Sequence, residues 1–190
     1  MMKWLLMFAA VVLVSGNARA GAAVNLLDNP DFEAENETQP SLPAGWIAYA
    51  GDEELIAVTN QVAHSGARCV LLRAKGEAKS NRGIMQEKAV TADMTVTFTA
   101  HVLNNRDLPL QVGTVGAMNI EWLDVDGKEI LRDQGVPWSV SLSPLKWQKV
   151  QVRGKAPKDA VAARFVISMV EGARPGAGSF LVDDMAVMEK

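Results

Sequence analysis

The sequence predicts an all-β protein, an antiparallel two-sheet β-sandwich of jelly-roll type, and three observations carry that expectation. Apolar residues alternate with period two in several runs, no sustained stripe of helical period follows Gly21, and Gly, Pro, Asn and Asp punctuate the gaps between runs. About ten short strands at such spacing, with no helices between them, favour two packed sheets. A closed barrel is the alternative.

The first twenty residues stand apart from the fold. Met1 to Lys3 is a short basic start, Trp4 to Val14 an unbroken apolar run, and Ala18-Arg19-Ala20 a small-x-small cleavage pattern. That layout is a secretory signal peptide. The apolar run is shorter than the roughly 20 residues a membrane helix needs, and no later stretch approaches that length. The expectation is a signal peptide over 1-20 and one secreted or periplasmic domain over 21-190, with no membrane span. No cysteine follows the apolar run to take a lipid anchor.

Composition narrows the class further. With 48% apolar and 22% charged residues the chain has enough core-forming side chains to fold, and its net charge of -3 excludes a strongly basic nucleic-acid binder. Cleavage after Ala20 removes two of the 19 basic residues and none of the 22 acidic ones, so the domain carries -5. Cys69 is the only cysteine, so no internal disulfide forms. Its place in the apolar run Cys69-Val70-Leu71-Leu72 reads as a buried, inert thiol.

Strands are expected near Ala23 to Leu27, Leu55 to Thr59, Ala67 to Arg73, Ile84 to Val90, Pro109 to Val115, Trp147 to Arg153, Val161 to Val170 and Ser179 to Met188. The clearest is Met94 to Val102. Val96, Phe98, Ala100 and Val102 share its core face, and Thr95, Thr97, Thr99 and His101 its wet face. Between Met118 to Val125 and Lys128 to Leu131, Asp126-Gly127 predicts a tight two-residue hairpin turn. Asn36 to Pro43 reads as a surface loop, and its Asn36-Glu37-Thr38 matches an N-glycosylation acceptor.

No catalytic constellation emerges. The two histidines are His64 and His101, and His64-Ser65-Gly66 reads as a turn. No zinc spacing and no phosphate-binding glycine loop occurs. Asp52-Glu53-Glu54 reads as a solvated run, while Asp183 and Asp184, adjacent in a strand, are expected on opposite faces.

The order of landmarks resembles a known group. Asn25-Leu26-Leu27-Asp28-Asn29-Pro30-Asp31-Phe32-Glu33, Pro43-Ala44-Gly45-Trp46 and His64-Ser65-Gly66 precede Trp122 to Gly127, Trp147-Gln148-Lys149-Val150, Ala163-Arg164-Phe165 and Val182-Asp183-Asp184-Met185. Over residues 24 to 188 this resembles the carbohydrate-binding modules of the family 4, 9 and 22 group. The resemblance implies a galactose-binding-like jelly roll, no catalysis by the module, β-glycan binding in a cleft on one sheet, and a structural calcium ion. Glu33 and Asp183 would supply calcium with side-chain oxygens, and the loop His64 to Arg68 with carbonyls.

Sugar recognition needs aromatic faces for stacking and planar polar groups for hydroxyls. Most of the aromatics have apolar partners by pattern or, like Trp46 and Trp147, look structural in similar modules. Tyr49 and Trp138 remain as exposed platforms. Gln86, His101, Asn119, Glu121 and Arg164 are the polar candidates. The leading expectation is thus a non-catalytic domain for an oligo- or polysaccharide of β-glucan or xylan type. A protein-interaction or structural jelly roll with a protein partner is the second reading, and a small glycan-active enzyme the third.

Overall fold

A computed structural model describes residues 24–190, so the leader read in Met1 to Ala20 lies outside the described residues. Ten strands are present among them: β1 (Ile47–Tyr49), β2 (Ile56–Thr59), β3 (Cys69–Arg73), β4 (Asn81–Ala89), β5 (Thr95–Asn104), β6 (Thr114–Leu123), β7 (Glu129–Gln134), β8 (Gln148–Lys155), β9 (Ala162–Glu171) and β10 (Ser179–Glu189). They form two five-stranded sheets, ordered β1-β4-β9-β6-β7 and β2-β3-β10-β5-β8, and every pairing is antiparallel. This is the expected sandwich.

The alternation on β5 is realised as read. Val96, Phe98, Ala100 and Val102 are buried between the sheets, and Phe98 meets Phe165 of β9 edge-on, with ring centroids 5.5 Å apart. Trp122, Ile120 and Met118 face the same core from β6. Trp46 packs on Phe32, and its indole N–H donates to the Asn29 carbonyl at 3.0 Å, which pins the N-terminal segment over the sandwich. Cys69 is fully buried and its thiol donates to the Val62 carbonyl. Burial, with the nearby Asp183 charge, pushes that thiol up to about 12, so it is inert at neutral pH.

Three local expectations change, and one strand was not expected. Ala23 to Leu27 is not a strand where it is described: only Asn25 bridges to Met188, because the Asn25 side chain itself takes the Val187 and Leu27 N–H groups. Pro109 to Val115 is a loop up to Gly113, since the Leu110 N–H goes to the Asn104 side chain and the Gln111 N–H to Ala177. The Asp126-Gly127 hairpin is real but has a three-residue loop. Asp124 and Lys128 close it, and only Gly127 takes a positive φ, 74°. Finally, the three-residue β1 carried no alternating pattern long enough to read, yet it pairs with Gly83 to Met85 on the edge of the first sheet.

Candidate functional site

Register places a band of charge across the outer face of the first sheet. Glu87 on β4 stands opposite Arg164 on β9, Arg164 opposite Glu121 on β6, and Glu121 opposite Arg132 on β7. Four neighbouring strands thus contribute one rung of alternating sign. The Arg164 guanidinium meets Glu87 at 3.0 Å, and Arg132 meets Glu121 at 3.0 Å and Glu129 at 2.6 Å. Directly opposite charges on adjacent strands attract, which fixes these side chains on the face.

Tyr49 joins this band. Its hydroxyl donates to Oε1 of Glu121 at 2.7 Å, although β4 and β9 lie between β1 and β6. Burial, then the bond and charge of Glu121, raises the phenol above its ordinary value and keeps it a donor. Beneath that span the outward residues Val166 and Ser168 are fully buried, and Gly83 has no side chain because a Cβ there would strike the β9 backbone. Asn119, one pleat from Glu121, shares the face. Tyr49, Asn119, Glu121 and Arg164 are therefore brought together in one polar cluster with one aromatic ring, in which Asn119 and Glu121 are buried and Tyr49 and Arg164 are partly exposed. Arg132 and Glu87 belong to it and were missed. The expected strand ended at Leu131, one residue short of Arg132, and cross-strand register is invisible in one sequence.

Three expected ligand residues do not belong there. Trp138 is only 7% exposed, so it is no platform: its ring stands edge-on to Phe180 at 5.2 Å and lies over Gly116, where even a methyl group would collide with it. Gln86 pairs with core-facing Phe165, and its amide clasps Asp28, donating to the carbonyl at 2.6 Å and accepting from the N–H at 3.0 Å. It is a tether for the N-terminal segment. His101 lies on β5, on the outer face of the second sheet. Trp147, expected to be structural, is half-buried there and lines a cleft of about 460 Å³ with Leu71, Leu103 and Leu181. A cleft of about 590 Å³ lies between the N-terminal loops and β2, near Leu42, Pro43 and Arg68. Neither cleft is on the Tyr49 face.

The two acids expected at calcium converge on one loop. Oε1 of Glu33 accepts the Ala67 and Arg68 N–H groups at 2.8 Å each, and Oδ2 of Asp183 accepts those of His64 and Ser65 at 2.7 and 3.2 Å. Oδ1 of Asp183 takes the Asp184 N–H at 2.7 Å. The loop offers these acids N–H groups where carbonyls were expected. An ionised carboxylate has about four acceptor sites, so lone pairs remain on both for a cation. Burial raises Asp183 to about 6, while the three N–H bonds pull it down.

Asp183 and Asp184 do not take opposite faces. The β10–β5 register slips between Asp183 and Ala186, and Asp184 sits at φ 45°, so an extra residue bulges from the strand. Both carboxylates then reach the His64–Ser65 segment: Asp184 accepts from Ser65 Oγ at 2.7 Å and lies 2.5 Å from Nδ1 of His64. Burial pushes Asp184 up, but its bonds from His64 and Ser65 prevail and hold it below the ordinary aspartate value.

No protein-family model and no curated protein matches the chain. Solved structures do. The CBM22-1 xylan-binding domain of Paenibacillus barcinonensis Xyn10C is 19% identical with a TM-score of 0.59, over 90% of this chain and 97% of that domain. TmCBM61, solved with β-1,4-galactotriose, is 21% identical with a TM-score of 0.51, over 88% of this chain and all of that one. The CBM22-1–GH10 modules of Clostridium thermocellum xylanase 10B, solved with xylohexaose, give 19% identity and a TM-score of 0.56. That match covers 77% of this chain but spans only 26% of the xylanase chain. At these identities the likeness is one of fold. It is the β-sandwich of carbohydrate-binding modules.

Proposed function

We propose that this chain is a non-catalytic binding domain for a polysaccharide of β-glucan or xylan type, held on the outer face of the first sheet. The Tyr49–Glu121 bond over the Glu87–Arg164–Glu121–Arg132 rung carries this reading. Tyr49 supplies the ring against which a pyranose packs its C–H face, and the guanidiniums of Arg132 and Arg164 supply planar donors for hydroxyls.

The same geometry speaks against a glycosidase. Such an enzyme needs two carboxyl groups free to protonate and to attack or activate water. Here Glu121 is engaged by Tyr49 and Arg132, and Glu87 by Arg164. The likeness to xylan- and galactotriose-binding modules supports glycan binding. The leader read in residues 1-20 would place that binding outside the cytoplasm, and no helix among the described residues is long and apolar enough to cross a membrane.

A calcium ion at Glu33 and Asp183 belongs to this proposal. Calcium takes six to eight oxygen ligands, and these two acids grip the loop 64–68 from both sides. The ion would brace that loop, away from the glycan face. The test is affinity electrophoresis of residues 21-190 through gels containing β-glucan, xylan, galactan or starch, with calcium and after chelation. Retardation by one β-glycan that Tyr49→Ala weakens by about tenfold, with circular dichroism unchanged, is the expected result. Normal migration of a folded sample in every gel overturns the proposal.

A further inference from the structure

We infer that His64, His101 and Asp184 form a binding site for a divalent transition-metal ion, zinc(II) in the first instance, on the outer face of the second sheet. The site lies on the other sheet from the glycan face and beside the Glu33–Asp183 pair, whose Asp183 holds the His64 N–H. Its three residues come from three parts of the chain: the loop before β3, the wet face of β5 and the bulge of β10. One ligand atom from each lies within 4.8 Å of the others.

Five features mark this as a built cluster. The two imidazoles stack face to face, centroids 3.8 Å apart and planes within 9°, which holds them side by side but requires one ring to turn before both in-plane lone pairs converge on an ion. Nδ1 of His64 lies 2.5 Å from Oδ2 of Asp184. The other carboxylate oxygen of Asp184 is held by Ser65 Oγ, so the side chain is oriented from outside, as partners of metal ligands commonly do. Nδ1 of His101 is buried with no hydrogen-bond partner, and a buried unpaired nitrogen in a polar cluster calls for a water or an ion. Asp184 reaches this position only through its left-handed backbone, φ 45°, a conformation a non-glycine residue adopts at a cost.

The donor set selects the ion. Two imidazole nitrogens with one carboxylate suit zinc, copper or nickel, whereas calcium takes oxygen. Tetrahedral zinc, with ligands about 2.0–2.2 Å away, wants ligand atoms roughly 3.3 Å apart. His64 and Asp184 are closer than that, so they must move apart and the stacked rings must turn out of parallel to accept the ion. The His64 side chain is exposed and can turn about its own torsions, while its main chain stays held by Asp183. Since the His64 side faces solvent, the fourth position is open to water or a small donor.

The test is isothermal titration of the untagged domain, residues 21-190, with zinc chloride, in parallel with calcium chloride. The expected result is one zinc per chain at micromolar or tighter affinity. His64→Ala and His101→Ala should each weaken it by about tenfold or more, and zinc should shift the imidazole proton resonances of the parent. Calcium uptake, if present, should be unaffected by His64→Ala, whereas Glu33→Gln should lower calcium uptake and spare zinc. His64 is exposed, so its variant is expected to keep native circular dichroism. Absence of zinc binding by the folded parent, or binding undiminished in a folded His64→Ala/His101→Ala double variant, overturns the inference.

Discussion

Tyr49 on an edge strand and Glu121 three strands away are joined by a 2.7 Å hydrogen bond across the outer face of the first sheet. Glu121 is only 1% exposed, so the phenol and Arg132 are what keep its carboxylate satisfied. Tyr49→Phe keeps the ring and removes one donor to a charged acceptor, which should cost about 2 kcal/mol in urea unfolding and leave some glycan retention. Tyr49→Ala removes the stacking surface as well, and retention should fall by about tenfold, near 1.4 kcal/mol. Equal retention in all three proteins would mean that Tyr49 only roofs the sheet.

Glu171 predicts an acid limb of the stability curve. Its carboxylate, 2% exposed, accepts the N–H groups of Lys75, Gly76, Glu77 and Gly176 and the Ser80 hydroxyl, tying the β3–β4 and β9–β10 connections together. Burial pushes this carboxyl up, but the Ser80 and main-chain bonds outweigh it and the group sits below its ordinary 4.5. With the folded value depressed, its stabilisation is full above pH 4.5 and is lost as pH falls through the folded value. Glu171→Gln should lower stability at pH 7 by roughly 2–3 kcal/mol and flatten the acid limb in urea titrations. An unchanged limb would assign acid unfolding to other carboxylates.

Gly116 and Trp138 test the core assignment of an indole that looked like a sugar platform. They bridge each other through paired main-chain bonds of 2.8 and 3.1 Å, and the indole covers the glycine. A Cβ on Gly116 would overlap the Trp138 ring, which is wedged edge-on against Phe180. Gly116→Ala should therefore destabilise by about 1–3 kcal/mol, and Trp138→Ala by roughly 3–5 kcal/mol through the cavity it leaves. If Trp138→Ala kept full thermal stability and lost glycan retention, the platform reading would return.

Much of this was legible in the sequence, and the remainder was hidden for specific reasons. The alternation of Val96, Phe98, Ala100 and Val102 marks a half-buried strand because side-chain direction has period two, and that held on β5. Period two fails where the backbone departs from it. The bulge at Asp184 turned an expected outward–inward pair into two carboxylates on one loop. Gln86 was assigned by its polarity, but its amide satisfies main-chain groups of Asp28 on the core side. His64 and His101, 37 positions apart in sequence, meet only because a loop folds over β5. Such meetings depend on register, which a single sequence does not encode locally.

Gly66 is the point at which that loop is least replaceable. It takes φ +59°, and a Cβ there would lie 2.7 Å from the Glu33 carboxyl carbon and closer still to Oε1. The glutamate cannot swing away freely, since its Oε1 holds the Ala67 and Arg68 N–H groups. Left-handed backbone alone costs an L-residue roughly 1–2 kcal/mol. Gly66→Ala should thus lose about 2 kcal/mol or more and release the grip of Glu33 on the loop, with faster amide exchange at Ala67 and Arg68 as the direct readout. Because Asp183 holds the same loop at His64 and Ser65, those two amides should stay protected. Uniform loss of protection across 64–68 would show instead that the two acids act as one clamp, with neither able to hold its half alone.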